Sequence, residues 1–319
     1  MAARVTLWAL EVLVATAEEG AITAAARRLG VSASAVSQQL AALEAALGAE
    51  LVDRSARPFA LTRAGAAFLP HASAMLDELA RGRAGVGQAD PAGLRSFRLG
   101  MIEDFEAEVT PALLAGMGAE LTACRFQLET GPSHRLAAQL EARALDLVVA
   151  AEGGPRGEGL EVVPLLSEPF LAVWPAGQVG ADLPFIHYAT RTLMGRQIAE
   201  HLAREATAPG TRFELDSYPA ILALVAAGQG WTLLTPAGVR HGARMLAPGG
   251  VAAAGLALAP SPFAPLARRI VLSARAGGMG DLPGQVAVRL RGLLAERIVA
   301  PARTEAPWLG EALRVEGAG

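Results

Sequence analysis

Lysine is missing from this 319-residue sequence, and cysteine nearly so: all 28 basic side chains are arginine, and Cys124 is the single thiol. One cysteine excludes an internal disulfide and fits a reducing compartment. Cys124 falls in an alternating apolar run and is expected to be an inert core thiol. Long apolar runs are missing too. No stretch of about 18 uncharged apolar residues occurs, so no membrane span is expected. The N-terminus has no basic region followed by an apolar block, so no secretory leader is expected. Catalytic and cofactor signatures are equally scarce. The five histidines, His71, His134, His187, His201 and His241, have no metal-ligand spacing. There is no phosphate-binding P-loop and no nucleophile elbow. Gly228-Gln229-Gly230 looks like the start of a dinucleotide loop, but it follows a helical pattern and precedes a strand, the reverse of the required order. His134 and His187 are best read as structural. A non-enzyme with no metal and no cofactor is the expectation.

What is present is concentrated between Glu18 and Gly48. Two helical patterns flank a three-residue turn, Gly30-Val31-Ser32. Ser32 is placed to cap the second helix by accepting an unpaired first-turn N–H. Val36, Leu40, Leu43 and Leu47 then form a stripe with helical spacing, and Gly48 is a stop. Ser34, Ser37, Gln38 and Ala41 lie opposite, short or amide-bearing and able to approach base edges. Thr23 is expected to cap the first helix, which buries Ala26 and Leu29. Leu7, Leu10, Val14 and Ala17 give one face of a supporting helix upstream. Periodicity alone leaves an ordinary helical hairpin equally open.

These residues also carry a resemblance. The segments AITAAARRLGVS, SASAVSQQLAALEAALGAELVDRS and ALTRAG, colinear within residues 5–65, resemble the winged helix-turn-helix of the LysR-type transcriptional regulators. The resemblance implies DNA contacts from Thr23, Arg27, Arg28, Ser32, Ala33, Ser34, Ser37, Gln38, Arg54, Arg57 and Arg63. The family usually carries Gln, and often Pro, just after the recognition-helix cap. Here those positions are Ala33 and Ser34, so base preference is expected to differ. Residues 21–63 hold five arginines against Glu44, Glu50 and Asp53, so cations gather around the turn and wing even though the whole chain has a net charge of −3.

Glu50–Val52 and Phe59–Leu61 are expected to pair as the wing, with Arg54 and Arg57 at its tip. As loop arginines they are equally well read as solvated. Thr62 then caps a long helix to about Arg83, with the stripe Phe68, Ala72, Met75 and Leu79 widened by Leu69 and Leu76. So much apolar surface needs a partner. In the family this is the linker helix that pairs subunits. Pro70 inside it is expected to kink it. Residues 84–93 are glycine-rich and read as a hinge.

From Leu94 to residue 300 strands and helices alternate, which implies a parallel sheet flanked by helices. The pattern crosses twice, giving subdomain I (about 94–165 and 266–300) and subdomain II (about 166–265) with a cleft between. This is similar to the LysR-type effector domain, a two-subdomain α/β fold shared with periplasmic binding proteins; ARALDLVVA, EPFLAV and LDSYPAILALVAAGQGWTLLTP carry the likeness. The expected architecture is therefore an N-terminal all-α winged helix-turn-helix (1–61) with a linker helix (62–83), plus that effector domain. Residues 301–319 are left as a tail without a role.

Ligands in open α/β sheets sit beyond the carboxyl ends of the strands, near helix N-termini. The loops that qualify supply Ile102, Glu103, Asp104, Thr130, Ser133, Tyr188, Thr190, Arg191, Asp216, Tyr218 and Thr235. Many relatives place a small hydroxyl residue where this chain has Glu103 and Asp104. A carboxylate there favours an amine through a charge-assisted hydrogen bond. With Arg191 across the cleft, an amino-acid-like effector is suggested. The plainer reading has Glu103, Asp104 and Asp216 as helix caps, since acids are favoured in a first turn.

The expected protein is a bacterial cytoplasmic regulator. It binds double-stranded promoter DNA, dimerises through the linker helix, assembles as a homotetramer, contacts RNA polymerase and answers a small effector. The competing class is a solute-binding module or enzyme whose N-terminal helices serve only oligomerisation.

Overall fold

The computed structural model describes residues 4–53, 60–85, 94, 96–153, 159–205 and 209–317. The chain divides into two compact units, Met1–Asp90 and Pro91–Gly319.

In the first unit, helix α1 (Leu7–Glu19) is capped by Thr6, whose hydroxyl accepts from Ala9 N at 3.2 Å. Its buried surface runs from Ala9 through Thr16; Leu10 and Val14 are in it, but Leu7, expected on the core face, is exposed. α2 (Ile22–Leu29) begins at Ala21 without a side-chain cap, so Thr23 is an exposed helical residue and not the expected cap. α3 (Ala33–Leu47) starts as anticipated: Ser32 accepts from Ala35 N at 3.1 Å. Val36, Leu40 and Leu43 are buried. Gly30 and Gly48 close α2 and α3 with φ of 67° and 68°, left-handed values that a side chain would oppose. Strands β1 (Val52–Asp53) and β2 (Ala60–Leu61) pair antiparallel. They are shorter than expected, and Arg54, Arg57 and Phe59 lie outside the described residues. The Glu44 carboxylate accepts from Leu51 N and Val52 N at 2.8 and 3.1 Å, tying the wing to α3.

Thr62 accepts from Gly65 N and donates to Glu50 O, starting α4 (Arg63–Gly85). α4 runs through Pro70 and continues two residues past Arg83, into the segment expected as hinge. Ala72 and Leu76 pack into the core with α1, while Met75 remains exposed.

The second unit holds a six-stranded sheet in the order β13-β6-β12-β5-β3-β4. β3 (Ser96–Met101) pairs parallel with β4 (Arg125–Thr130) and β5 (Leu147–Ala151), as expected. β6 (Leu160–Pro169) and β12 (Ala267–Arg275) overturn the all-parallel reading. They pair antiparallel with each other, and β12 pairs antiparallel with β5. The cause is topological: β12 returns from the far end of the molecule and runs against its neighbours. α5 (Thr110–Glu120) buries Leu113 and Met117, and α6 (Ser133–Glu141) buries Leu136 and Leu140. Ser133 does not cap α6; its hydroxyl accepts from Ala151 N instead.

The chain leaves this sheet from β6 into β7 (Leu171–Pro175). β7 is flanked antiparallel by β10 (Thr232–Leu234) and β11 (Leu256–Pro260). β8 (Phe185–Tyr188) pairs parallel with β9 (Thr211–Leu215), and a bridge from Phe185 to Trp231 joins the two groups of strands. α7 (Leu193–Arg204), capped by Thr192, α8 (Tyr218–Ala226), α9 (Pro236–Leu246) and the short α10 (Gly250–Ala253) complete this half. The two passages between halves lie side by side, joined by Phe170 N to Leu266 O at 2.8 Å.

The expected tail is part of the fold. α11 (Leu282–Leu294) continues through a π-helical turn, Ala295–Val299, into α12 (Ala300–Glu305). A 3-10 segment, Pro307–Ala312, follows and buries Leu309. Then β13 (Arg314–Val315) pairs antiparallel with β6. Cys124 sits half-buried on the turn before β4, not inside a core strand as expected. Among the described residues, no helix is long and apolar enough to cross a membrane, and no group of His, Cys, Asp or Glu is arranged to hold a metal ion.

Candidate functional site

The first unit presents α3 with its apolar stripe inward and Ser34, Gln38 and Ala41 exposed. The sequence-derived contact set divides on inspection. Gln38 is exposed, on the side of the helix away from the core. Ser34 Oγ lies 2.9 Å from Ser32 Oγ, and Ser37 Oγ donates to Ala33 O at 3.0 Å, so these hydroxyls are held in place. Ala33 packs half-buried against the core and is not a free contact. Arg27 and Arg63 are exposed and pair with none of the described acids. Arg28 differs from the expectation: its guanidinium pairs with Glu18 at 2.7 Å and Glu19 at 3.1 Å, so its charge is already answered locally. Arg54 and Arg57 lie outside the described residues.

In the second unit the carboxyl ends of β3 and β4 face the loops before α7 and α8 across a small chamber of about 40 Å³. Ile102, Glu103, Asp104, Ser133, Tyr188 and Tyr218 line it, as the loop argument anticipated. The chamber's base is an ionic cluster that sequence reasoning missed. Arg268 Nη2 lies 2.5 Å from Asp104 Oδ2 and 2.6 Å from Glu168 Oε1. It also donates to Thr235 Oγ1 at 2.9 Å. Tyr218 OH donates to Asp104 at 3.0 Å, and Glu168 Oε2 accepts from Ala237 N at the start of α9. All three charged side chains are at most 4% exposed. Burial pushes the Glu168 carboxyl above its ordinary value, while Arg268 and the α9 amide act the other way. Burial likewise raises the Tyr218 and Tyr188 hydroxyls.

Arg268 and Glu168 face each other in register on β12 and β6, the two strands that carry the chain between halves. The signal for them was present but faint: SEPF and ARRI put a charge at the edge of an apolar strand. Nothing local says that two such charges meet 100 residues apart.

Six expectations fail here. Asp104 is not a free carboxylate, since it is consumed by Arg268 and Tyr218. Arg191 does not clamp the chamber; it is 68% exposed and pairs with Asp216. Asp216 therefore belongs to that surface pair and not to the lining. Thr190 is held by its N–H and hydroxyl to Glu214 at 2.8 and 3.0 Å, outside the chamber. Thr130 ends β4 without reaching the lining, and Thr235 lies one layer behind Arg268. Leu193, Met194, Thr192 and Gly131 take the vacated places. Glu103 is the carboxylate left over. Its side chain makes no hydrogen bond or ion pair with a described residue, and burial together with Asp104, Glu106 and Asp216 raises its pKa above the ordinary 4.5.

The first unit is thus a winged helix-turn-helix, and the second a two-subdomain ligand-cleft fold. Comparison with known proteins places the combination. Residues 7–66 match the family described as "Bacterial regulatory helix-turn-helix protein, lysR family", and residues 93–278 match "LysR substrate binding domain". The chain belongs to the LysR family of DNA-binding transcriptional regulators. It is 38% identical over 173 residues to a probable hydrogen peroxide-inducible genes activator of Mycobacterium xenopi, covering 54% of this chain and 90% of that one. Similarity to the Mycobacterium avium protein of the same description is also 38%, over 54% of this chain, and spans about half (55%) of that protein's length. Among solved structures, a hydrogen peroxide-bound cysteine-to-serine mutant of Corynebacterium glutamicum OxyR superimposes with a TM-score of 0.69 at 25% identity, covering 94% of this chain and 97% of the other. These relatives are regulators, not enzymes.

Proposed function

We propose that this chain is a cytoplasmic bacterial regulator that reads promoter DNA through α3 and is controlled by a small amine-bearing effector in the cleft. It catalyses no reaction. The observation that carries the effector class is charge. Asp104 and Glu168 share the one guanidinium of Arg268, leaving a net negative charge, and Glu103 beside them is unpaired. A carboxylate ligand would meet like charges there; an ammonium group would not. Without Arg191 as an opposing clamp, the carboxylate end of an amino acid has no evident partner, so a plain amine fits better than a zwitterion.

Ser34, Gln38 and Arg27 are the side chains we assign to DNA, with the wing beside them. The exposed Met75, next to half-buried Phe68 and Leu79, supports pairing of two chains along α4, residues 62–83 serving as linker and 84–93 as hinge. Two dimers then form a tetramer on paired sites, within reach of RNA polymerase.

A peroxide response, stated in the relatives' names, would require an oxidisable thiol in the cleft. Cys124 lies before the first residue of β4, whereas the chamber begins at Gly131 beyond its last, roughly 23 Å along the strand by its rise per residue. That favours ligand binding over thiol oxidation.

Fluorescence anisotropy with DNA from upstream of the chain's own gene tests the reading. Binding much tighter than to scrambled DNA at physiological salt is expected, weakened by Gln38→Ala. Equal binding to both would overturn the regulator reading in favour of a solute-binding module.

A further inference from the structure

We propose that the cleft site has two compartments and takes an amphipathic cation, with an ammonium head beside Glu103 in the 40 Å³ chamber and an apolar body in a larger cavity beside it. This rests on the effector reading above and specifies the molecule. The chamber alone has room for a head group and little more, since one water needs about 10–15 Å³ of such space. The neighbouring cavity has a volume near 300 Å³, the lower end of small-ligand pockets.

The two spaces share Ser133, Ala151 and Leu193. Ser133 and Ala151 are fixed to each other, because the Ser133 hydroxyl accepts from Ala151 N at 3.1 Å. Leu193 is the side chain that completes the partition. Gly153 leaves it space: a Cβ there would lie 2.5 Å from Leu193 Cδ2.

The buried charge lies on the chamber side of that wall. The chamber side holds Glu103 and the Asp104–Arg268–Glu168 cluster. The far side is floored by Val148, Val162 and Val271, on three adjacent strands of the six-stranded sheet, with Ser273 between Val148 and Val162 and Leu140 of α6 alongside. Of its charged residues, Glu141 and His134 are exposed, and the other two are engaged elsewhere. Glu152 pairs with Arg269, and Arg196 donates to Arg191 O. An apolar body lying on the valine floor, joined past Leu193 to a head at Glu103, satisfies both environments.

Isothermal titration of the full chain with ethylamine, butylamine, hexylamine and hexanoate tests this. Affinity is expected to rise about fourfold per added methylene, the increment for burying one CH2 group, and hexanoate is expected to bind far more weakly than hexylamine. Val162→Trp, which fills the large cavity, should erase the dependence on chain length and leave ethylamine unchanged; Val271→Phe serves if Val162→Trp does not fold. Glu103→Gln should weaken every amine. Ethylamine binding with no gain on lengthening would overturn the second compartment alone. Equal binding of hexanoate and hexylamine, or no amine binding at all, would overturn the cationic head. Neither result touches the DNA measurement, which fails separately if the regulator reading is wrong.

Discussion

Two carboxylates, Asp104 and Glu168, converge on the guanidinium of Arg268, and the consequence is a cluster that tolerates loss of its cation poorly. Arg268→Met would strand two buried acids. We expect a loss of roughly 3–5 kcal/mol, the cost of breaking a buried pair by removing one partner, read by urea unfolding. A loss below about 1 kcal/mol, typical of exposed pairs, would contradict the burial. Glu103 gives a pH prediction. Its carboxyl titrates above the ordinary 4.5 because burial and neighbouring acids disfavour the charged form. Ammonium binding needs that charge, so affinity should rise as pH climbs through the raised pKa and fall away below it, and Glu103→Gln should flatten the profile. For stability the sign is opposite: a carboxyl with a raised folded pKa favours the fold most at low pH and loses that contribution as pH rises. Glu103 was legible from its place after a strand; Arg268, Glu168 and the Arg191–Asp216 pair were not, because each meets its partner only through the tertiary fold.

Helix starts show which local signals carry through folding. Ser32 caps α3 because the residues after it form one continuous turn and its hydroxyl accepts from Ala35 N within that turn. Ser32→Ala should destabilise the first unit by about 1 kcal/mol, visible in thermal unfolding, and weaken DNA binding by misplacing Ser34 and Gln38. Thr23 and Ser133 carried the same sequence signal and do not cap. α2 begins one residue before Thr23, and Ser133 turns to Ala151 on another strand. Strand β13 had no local signature at all, since its partner β6 lies about 150 residues upstream; α9 and β11 were hidden by glycine- and alanine-rich composition. α7 makes a sharper test of packing. A Cβ at Gly195 would fall 2.0 Å from the Ala189 carbonyl oxygen. Gly195→Ala should therefore push the first turn of α7, with Thr192, Leu193 and Met194, away from the chamber. Amine binding should be lost while residues 1–90 keep their fold; retained binding would show that α7 does not shape the site.

For the molecule as a whole, membership of the LysR family joins a DNA-reading unit to a ligand-reading one, and the account requires that the two communicate. The ionic cluster gives the cleft a physical route to move: Arg268 and Glu168 sit on the two strands that pass between halves, and Asp104 and Thr235 hold that junction from either side. A ligand that prefers one arrangement of the halves shifts the population toward it in proportion to its differential affinity. Coupling between binding sites must also be reciprocal. The most direct measurement is therefore a pair of isotherms on the full chain: DNA affinity with and without saturating hexylamine, and hexylamine affinity with and without that DNA. The account predicts the same factor of change in both directions, abolished together by Glu103→Gln. Tight binding of each partner with no influence of either on the other would contradict it.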